Sequence, residues 1–127
     1  MDTRGKIVTA EAACLLARAG RPAALVTGCF DVLVPEHIRE LARARDALPD
    51  CALVVAVTTP ERPVMDARAR AEMVAALGMV DYVVSSEESQ IESLLEAFSA
   101  ARIVRLETAH AQLMCELIQH VHRRQAR

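Results

Sequence analysis

LVTGCFDVLVPEHIREL, residues 25–41, is the stretch on which the fold turns. It starts apolar and runs into Gly28. Pro35 suits the first turn of a helix, where its fixed φ is already helical and its missing N–H is not needed. A short apolar run, a glycine and a helix start therefore read as a buried strand, a tight turn and a helix. Gly28 allows backbone to approach a ligand closely. The first turn of a helix leaves N–H groups unbonded and carries the positive end of the helix dipole. Together they make an anion site, and His37, in that first turn, stands within reach of a phosphate oxygen. These residues alone also allow a plainer reading, in which Gly28 only makes the turn and His37 is a solvated helix residue.

Outward from this stretch, strands and helices alternate. Residues 9–19 read as a helix with Thr9 as N-cap and Gly20 as its stop. Residues 23–27 form the strand before the glycine, and the helix opened by Pro35 runs to Pro49. Residues 52–58 (ALVVAVT) are a continuous apolar run of the kind covered on both faces of a sheet. A helix over 66–77 is closed by Gly78, and Tyr82–Ser85 is the next strand. Ile91, Leu94, Leu95 and Phe98 lie at helical spacing within a helix over 89–100. A strand over 102–106 precedes a last helix over 108–124, whose stripe of Leu113, Leu117, Ile118 and Val121 reads as core.

This order predicts an α/β fold: a Rossmann-like parallel sheet of about four strands with helices on both faces. Ligands in such sheets bind beyond the carboxyl ends of the strands, where the strand order reverses. Residues 27–31 are thus the natural place for a site. No repeat or linker interrupts the chain, so residues 1–127 read as a single domain.

Composition excludes several classes. One Tyr, two Phe and no Trp leave few platforms for stacking bases, and a net charge of −2 gives no general attraction to polyanions. Nucleic acid is therefore not an expected partner. Cys14, Cys29, Cys51 and Cys115 form no CxxC pair, so no zinc site is expected. His110, His120 and His122 all fall in the last helix, the latter two facing different directions, and suggest no metal site either. No apolar run approaches the length of a membrane span, and the polar start shows no signal peptide. A cytoplasmic protein with free thiols is the expectation.

TGCFDVLVPEHI resembles the GxFDxxHxGH signature of nucleotidyltransferases with the cytidylyltransferase-like fold, and looks like the domains that activate heptose 1-phosphate in bacterial surface-sugar synthesis. The resemblance extends over roughly residues 6–106. It includes Lys6-Ile7-Val8, residues 52–59, Arg62-Pro63-Val64, residues 70–77, Asp81-Tyr82-Val83-Val84, and Val104-Arg105 where the family has Val-Lys. It implies transfer of a nucleotidyl group from ATP or CTP to a phosphorylated sugar or polyol, with a magnesium ion accompanying the nucleoside triphosphate. It implies nucleotide-binding roles for Thr27, Gly28, Cys29, Phe30, Asp31, His37, Arg70 and Arg105, with His37 the catalytic candidate and no protein-held metal.

The departures are equally specific. The first histidine of the signature is Val34, which has no donor, and its glycine is Glu36. Thr27 stands where the heptose branch has Asn, and Thr58-Thr59-Pro60 where it has a polar Asn-Ser-Asp. The 21 residues after Leu106 contain no serine, whereas the family places a further strand and a Ser/Thr-rich helix start there. The chain thus reads as C-terminally shortened. Losing one transition-state donor costs about 10²–10³ in rate. An ionised Glu36 within about 4–5 Å of a phosphate oxygen would add repulsion of roughly 3–4 kcal/mol. The expectation is a kept scaffold with weakened or lost chemistry. The alternative is a non-catalytic nucleotide-binding or protein-interaction module, and the apolar stripe of the last helix reads alternatively as a homodimer surface, since a shortened sheet leaves an uncovered edge after its fourth strand.

Overall fold

A computed structural model describes residues 2–20, 22–31, 33, 35–60, 63–85, 88–99 and 102–125, with side chains at all of these except 88, 89, 108, 109 and 111–116. Val34 and Arg62, both singled out in the sequence, lie outside the described residues.

A short 3₁₀ turn, Thr3–Lys6, leads into β1 (Ile7–Val8) and α1 (Ala10–Arg18). Then come β2 (Ala23–Gly28), α2 (Pro35–Ala47), β3 (Ala52–Val57) and α3 (Ala67–Ala75). The chain continues through β4 (Tyr82–Ser85), α4 (Glu88–Ala97), β5 (Ile103–Arg105) and α5 (Glu107–Gln125). The five strands are all parallel, in the order β1-β4-β3-β2-β5.

The sheet therefore has one strand more than the four expected. The addition is β1, whose two residues pair with Val83 and Val84. A two-residue strand carries no readable alternation, which is why the sequence does not announce it. The other four strands fall where the apolar runs place them.

Alternation along the strands builds two cores. Ala24, Val26, Leu53, Val55, Val57 and Val83 face one way, onto Leu41 of α2 and Ala71 and Val74 of α3. Ala23, Leu25, Val54, Ala56 and Val84 face the other way, onto Ala13 of α1 and Ile91, Leu94 and Phe98 of α4. Each buried Val or Leu side chain contributes about 1.5–3 kcal/mol, so this double cover explains the unbroken apolar runs in β2 and β3. Caps set the helix starts. Thr9 accepts from the Ala12 N–H at 3.1 Å, and Asp66 accepts from the Ala69 N–H at 2.7 Å.

β2 sits between β3 and β5, pairing Leu25 with Val54 on one side and with Ile103 on the other. The chain leaves β2 towards β3 and returns from β4 to the opposite side of β2. The strand order reverses there, so the first turns of α2 and α5 come together at the end of β2.

The last helix departs from expectation. Its stripe was to be core, yet Leu117, Ile118 and Val121 are 37, 46 and 50% exposed. The physical reason is reach. Helix α5 packs on β2 near its start, and the residues from 117 to 125 are all exposed. The Leu113 side chain lies outside those described. No helix among the described residues is long and apolar enough to cross a membrane.

Candidate functional site

The turn after β2 is held from several sides. Asp31 accepts from the Val64 N–H through both carboxylate oxygens, at 3.0 and 2.7 Å, and from the Met65 N–H at 2.9 Å. The loop after β3 is thereby tied to the turn after β2. Arg70, 1% exposed, completes the tie. Its guanidinium donates to the carbonyls of Cys29 (3.2 Å), Thr58 (2.6 Å) and Met65 (3.1 Å). The Thr58 N–H donates to the Gly28 carbonyl at 2.9 Å. In this arrangement Phe30 sits in the left-handed region at φ 47°, a conformation costing a bulky residue about 1–2 kcal/mol. The surrounding bonds over-determine it.

Three rings meet beside Gly28. Phe30 stands edge-on to His110 with centroids 4.5 Å apart, and to His37 at 5.6 Å. His37, from the first turn of α2, and His110, from the first turn of α5, lie 4.3 Å apart. Both histidines are 4% exposed, which overturns the reading of His37 as a solvated helix residue. The His110 ring covers Gly28 so closely that a Cβ there would meet its Cε1 at 2.5 Å and its Nδ1 at 2.8 Å. Glycine is thus required by packing at this position.

Burial sets the charge of the pair. It pushes His110 down to about 4, with neighbouring His37 adding to the effect. Burial lowers His37 too, with Glu36 opposing. Both imidazoles are neutral at neutral pH. The His110 Nδ1 accepts weakly from the Phe30 N–H at 3.4 Å, so its proton sits on Nε2. That atom is buried with no hydrogen-bond partner among the described residues. Its nearest carboxylate oxygen, Oε2 of Glu40, is 3.7 Å away. This contact is too long for a hydrogen bond and is no ion pair while the imidazole is neutral. Glu40 itself is raised by burial and by Glu36.

Glu36 is disposed differently from the expectation of direct repulsion. Its carboxylate turns along its own helix to Arg43 at 3.0 Å and Arg39 at 3.3 Å. These two arginines, Arg43 first, hold it below the usual carboxylate range. The charge at this helix start is thus partly answered on the outer face of α2.

The remaining predicted residues divide. Gly28, Phe30, Asp31 and His37 come together with Arg70 at the end of β2. Cys29 is buried, with its thiol 3.7 Å from the Thr58 hydroxyl, and burial pushes its pKa up. It is a packed thiol rather than a reactive one. Thr27 is fully buried, and by alternation it shares the face of Leu25, opposite Gly28. Its hydroxyl has no partner among the described residues. Arg105 pairs in register with Thr27 across β2 and β5, and its exposed guanidinium lies 3.7 Å from Glu107. The Thr108 side chain lies outside those described. His110 is the residue the sequence reading did not bring to the site. Its signal is topological: only once β5 lies beside β2 does the first turn of α5 reach Gly28.

A protein-held magnesium does not fit these residues. Asp31 has both oxygens occupied by backbone N–H groups. No group of three or more metal-capable side chains is found among the described residues.

A parallel sheet whose order reverses at β2, with a tight turn and two helix starts gathered there, defines the class of Rossmann-like doubly wound α/β domains. Residues 25–125 match the family model described as cytidylyltransferase-like, and the chain belongs to that family. It is 41% identical over 85 residues to the bifunctional protein HldE of Bradyrhizobium diazoefficiens, an overlap of 61% of this chain and 17% of that protein. It is 47% identical over 68 residues to HldE of Rhodopseudomonas palustris strain BisB18, covering 48% and 14%. It is 37% identical over 94 residues to HldE of Halorhodospira halophila, covering 68% and 20%. The chain spans a fifth or less of the length of these relatives.

Proposed function

We propose that this domain binds a nucleoside triphosphate at the end of β2 and transfers its nucleotidyl group to a phosphorylated sugar or polyol. The observation that carries this reading is the rigid turn from Gly28 to Asp31 set against the start of α2, with buried His37 inside it. Membership of the cytidylyltransferase-like family and the similarity to HldE proteins support it. Such a reaction takes place in the cytoplasm, where nucleoside triphosphates are found.

The chemistry needs no covalent enzyme intermediate. A phosphate oxygen of the acceptor attacks the α-phosphorus and forms a new P–O bond. The bond from that phosphorus to the β-phosphate oxygen breaks, and pyrophosphate leaves with the electron pair. The protein's part is to align two phosphates and to place donors around the five-coordinate phosphorus. The helix start and His37 serve as donors, and Arg105 brings a cation to the neighbouring strand end.

A second reading has its own observations. Glu36 in the first turn of α2 and the His110 ring over Gly28 favour a domain that holds nucleotide without turning it over. One assay separates the two. Pyrophosphate release is followed with ATP or CTP and a panel of sugar and polyol phosphates. Slow release that is lost in His37→Leu supports the enzyme. Nucleotide binding with no release from any pair supports the binding module and counts against transfer.

A further inference from the structure

The signature leaves one donor position without a donor, at Val34, while the structure brings an unassigned imidazole beside Gly28 and His37. We propose that His110 supplies the second imidazole of the anion seat beside His37, taking a phosphate oxygen of a nucleotide or of pyrophosphate on its Nε2–H.

Four observations converge on this role. His110 lies 4.3 Å from His37, ring to ring, although 73 residues separate them in the chain. Its Nδ1 faces the Phe30 N–H, a backbone donor of the turn itself. Its Nε2 is a buried donor without an acceptor among the described residues, and such an atom costs about 1–3 kcal/mol unless a ligand or water meets it. Its helix begins immediately after β5, so the first turn of α5 adds a second set of helix N–H groups to those of α2 at the same strand end.

The charged and titrating groups around the pair are few. From α2 it meets His37 and Glu40, with Glu36 beyond them, and α5 contributes Glu107 one turn before His110. Two neutral imidazoles among carboxylates form a weak seat in alkaline solution. Arrival of a phosphate dianion favours their protonated forms, so anion binding takes up protons and strengthens as the pH falls below neutrality.

This inference rests on the proposed binding reading and deepens it. The test is calorimetric titration with inorganic pyrophosphate, inorganic phosphate, ATP and CTP, on the wild-type chain, His110→Leu and His37→Leu. Leucine keeps apolar cover over Gly28 while removing the Nε2 donor and the weak Nδ1 acceptor of the Phe30 N–H. His110→Leu is expected to weaken both pyrophosphate and ATP by about 10-fold or more. Adding Val34→His to His110→Leu is expected to restore part of that loss, because the signature position regains its donor. In parallel, the His110 imidazole resonance of the wild type is followed by NMR on adding pyrophosphate, and its titration is expected to move to higher pH. That measurement needs no variant to fold.

Pyrophosphate binding without nucleotide binding would uphold the anion seat and overturn the nucleotidyl reading. ATP binding that is unchanged or tighter in His110→Leu, with an unmoved His110 resonance, would overturn the role of His110 and leave the nucleotidyl reading intact. A wild-type chain that binds none of the four ligands would overturn both.

Discussion

At the scale of single residues, Gly28 and Glu36 make opposite demands on the site. Gly28 is glycine because the His110 and Phe30 rings occupy the space a side chain would need. Gly28→Ala should therefore destabilise the chain by about 2–3 kcal/mol in urea denaturation. In a His110→Ala background the same substitution should cost measurably less, because one of the two clashing rings is gone and only the Phe30 ring, 2.8 Å from the new Cβ, remains. An equal cost in both backgrounds would contradict the packing argument. Glu36 is a surface charge already answered by Arg39 and Arg43. Glu36→Gln should tighten ATP by about twofold to tenfold at low salt, and the gain should shrink as salt rises. A gain that is independent of salt would show that Glu36 acts through shape rather than charge.

Among the elements, the loop clamp is the part on which the site's geometry depends. Arg70 joins the turns after β2 and β3 to the start of α3 through three carbonyls. Arg70→Met should cost about 3 kcal/mol by chemical denaturation, since it leaves those acceptors buried and unmet. Arg70→Lys should recover little of that, because a single ammonium cannot span three acceptors set in a fork. Near-full recovery by lysine would show that charge rather than geometry matters there.

The legibility of the sequence follows the same division. Strands β2 to β5 and all five helices are visible in it because each carries an apolar run or stripe long enough to show. The strand end at Gly28 is visible because glycine, helix start and His37 are adjacent in sequence. Arg70 is legible as a site residue, but its three carbonyl partners are not, since they come from two other loops. His110 carries no local signal of its place in the site, because the approach of α5 to Gly28 depends on which strand lies beside β2. Strand adjacency leaves no mark on local pattern. The apolar stripe of α5 differs for a related reason: periodicity shows that a helix has an apolar face, not what packs against it. Among the described residues nothing covers Leu117, Ile118 and Val121.

For the whole molecule, the two buried histidines couple stability to pH. An unfolded histidine binds its proton near pH 6.5, whereas burial holds His110 at about 4 and lowers His37 as well. Between those values the unfolded chain carries more protons, so stability must rise with pH across that window and fall as the solution is acidified from about 6.5 towards 4. The His110 share of this is roughly 3 kcal/mol at most. Denaturation midpoints measured from pH 4 to 7 should show a steep acid limb, and His110→Phe should flatten it. A limb of unchanged slope in that variant would mean the titrating groups lie elsewhere.

The central claim is that the strand end at Gly28 is still a phosphate site despite Val34 and Glu36. Calorimetric titration of the purified chain with ATP and CTP, each with and without magnesium, tests it most directly. Saturable binding of at least one nucleotide is expected, with a dissociation constant near or below about 100 μM, equivalent to roughly 5.5 kcal/mol. Binding should weaken in His37→Leu. A correctly folded chain that takes up neither nucleotide at millimolar concentration would contradict the claim, and would leave the family fold in this chain as a scaffold without its ligand.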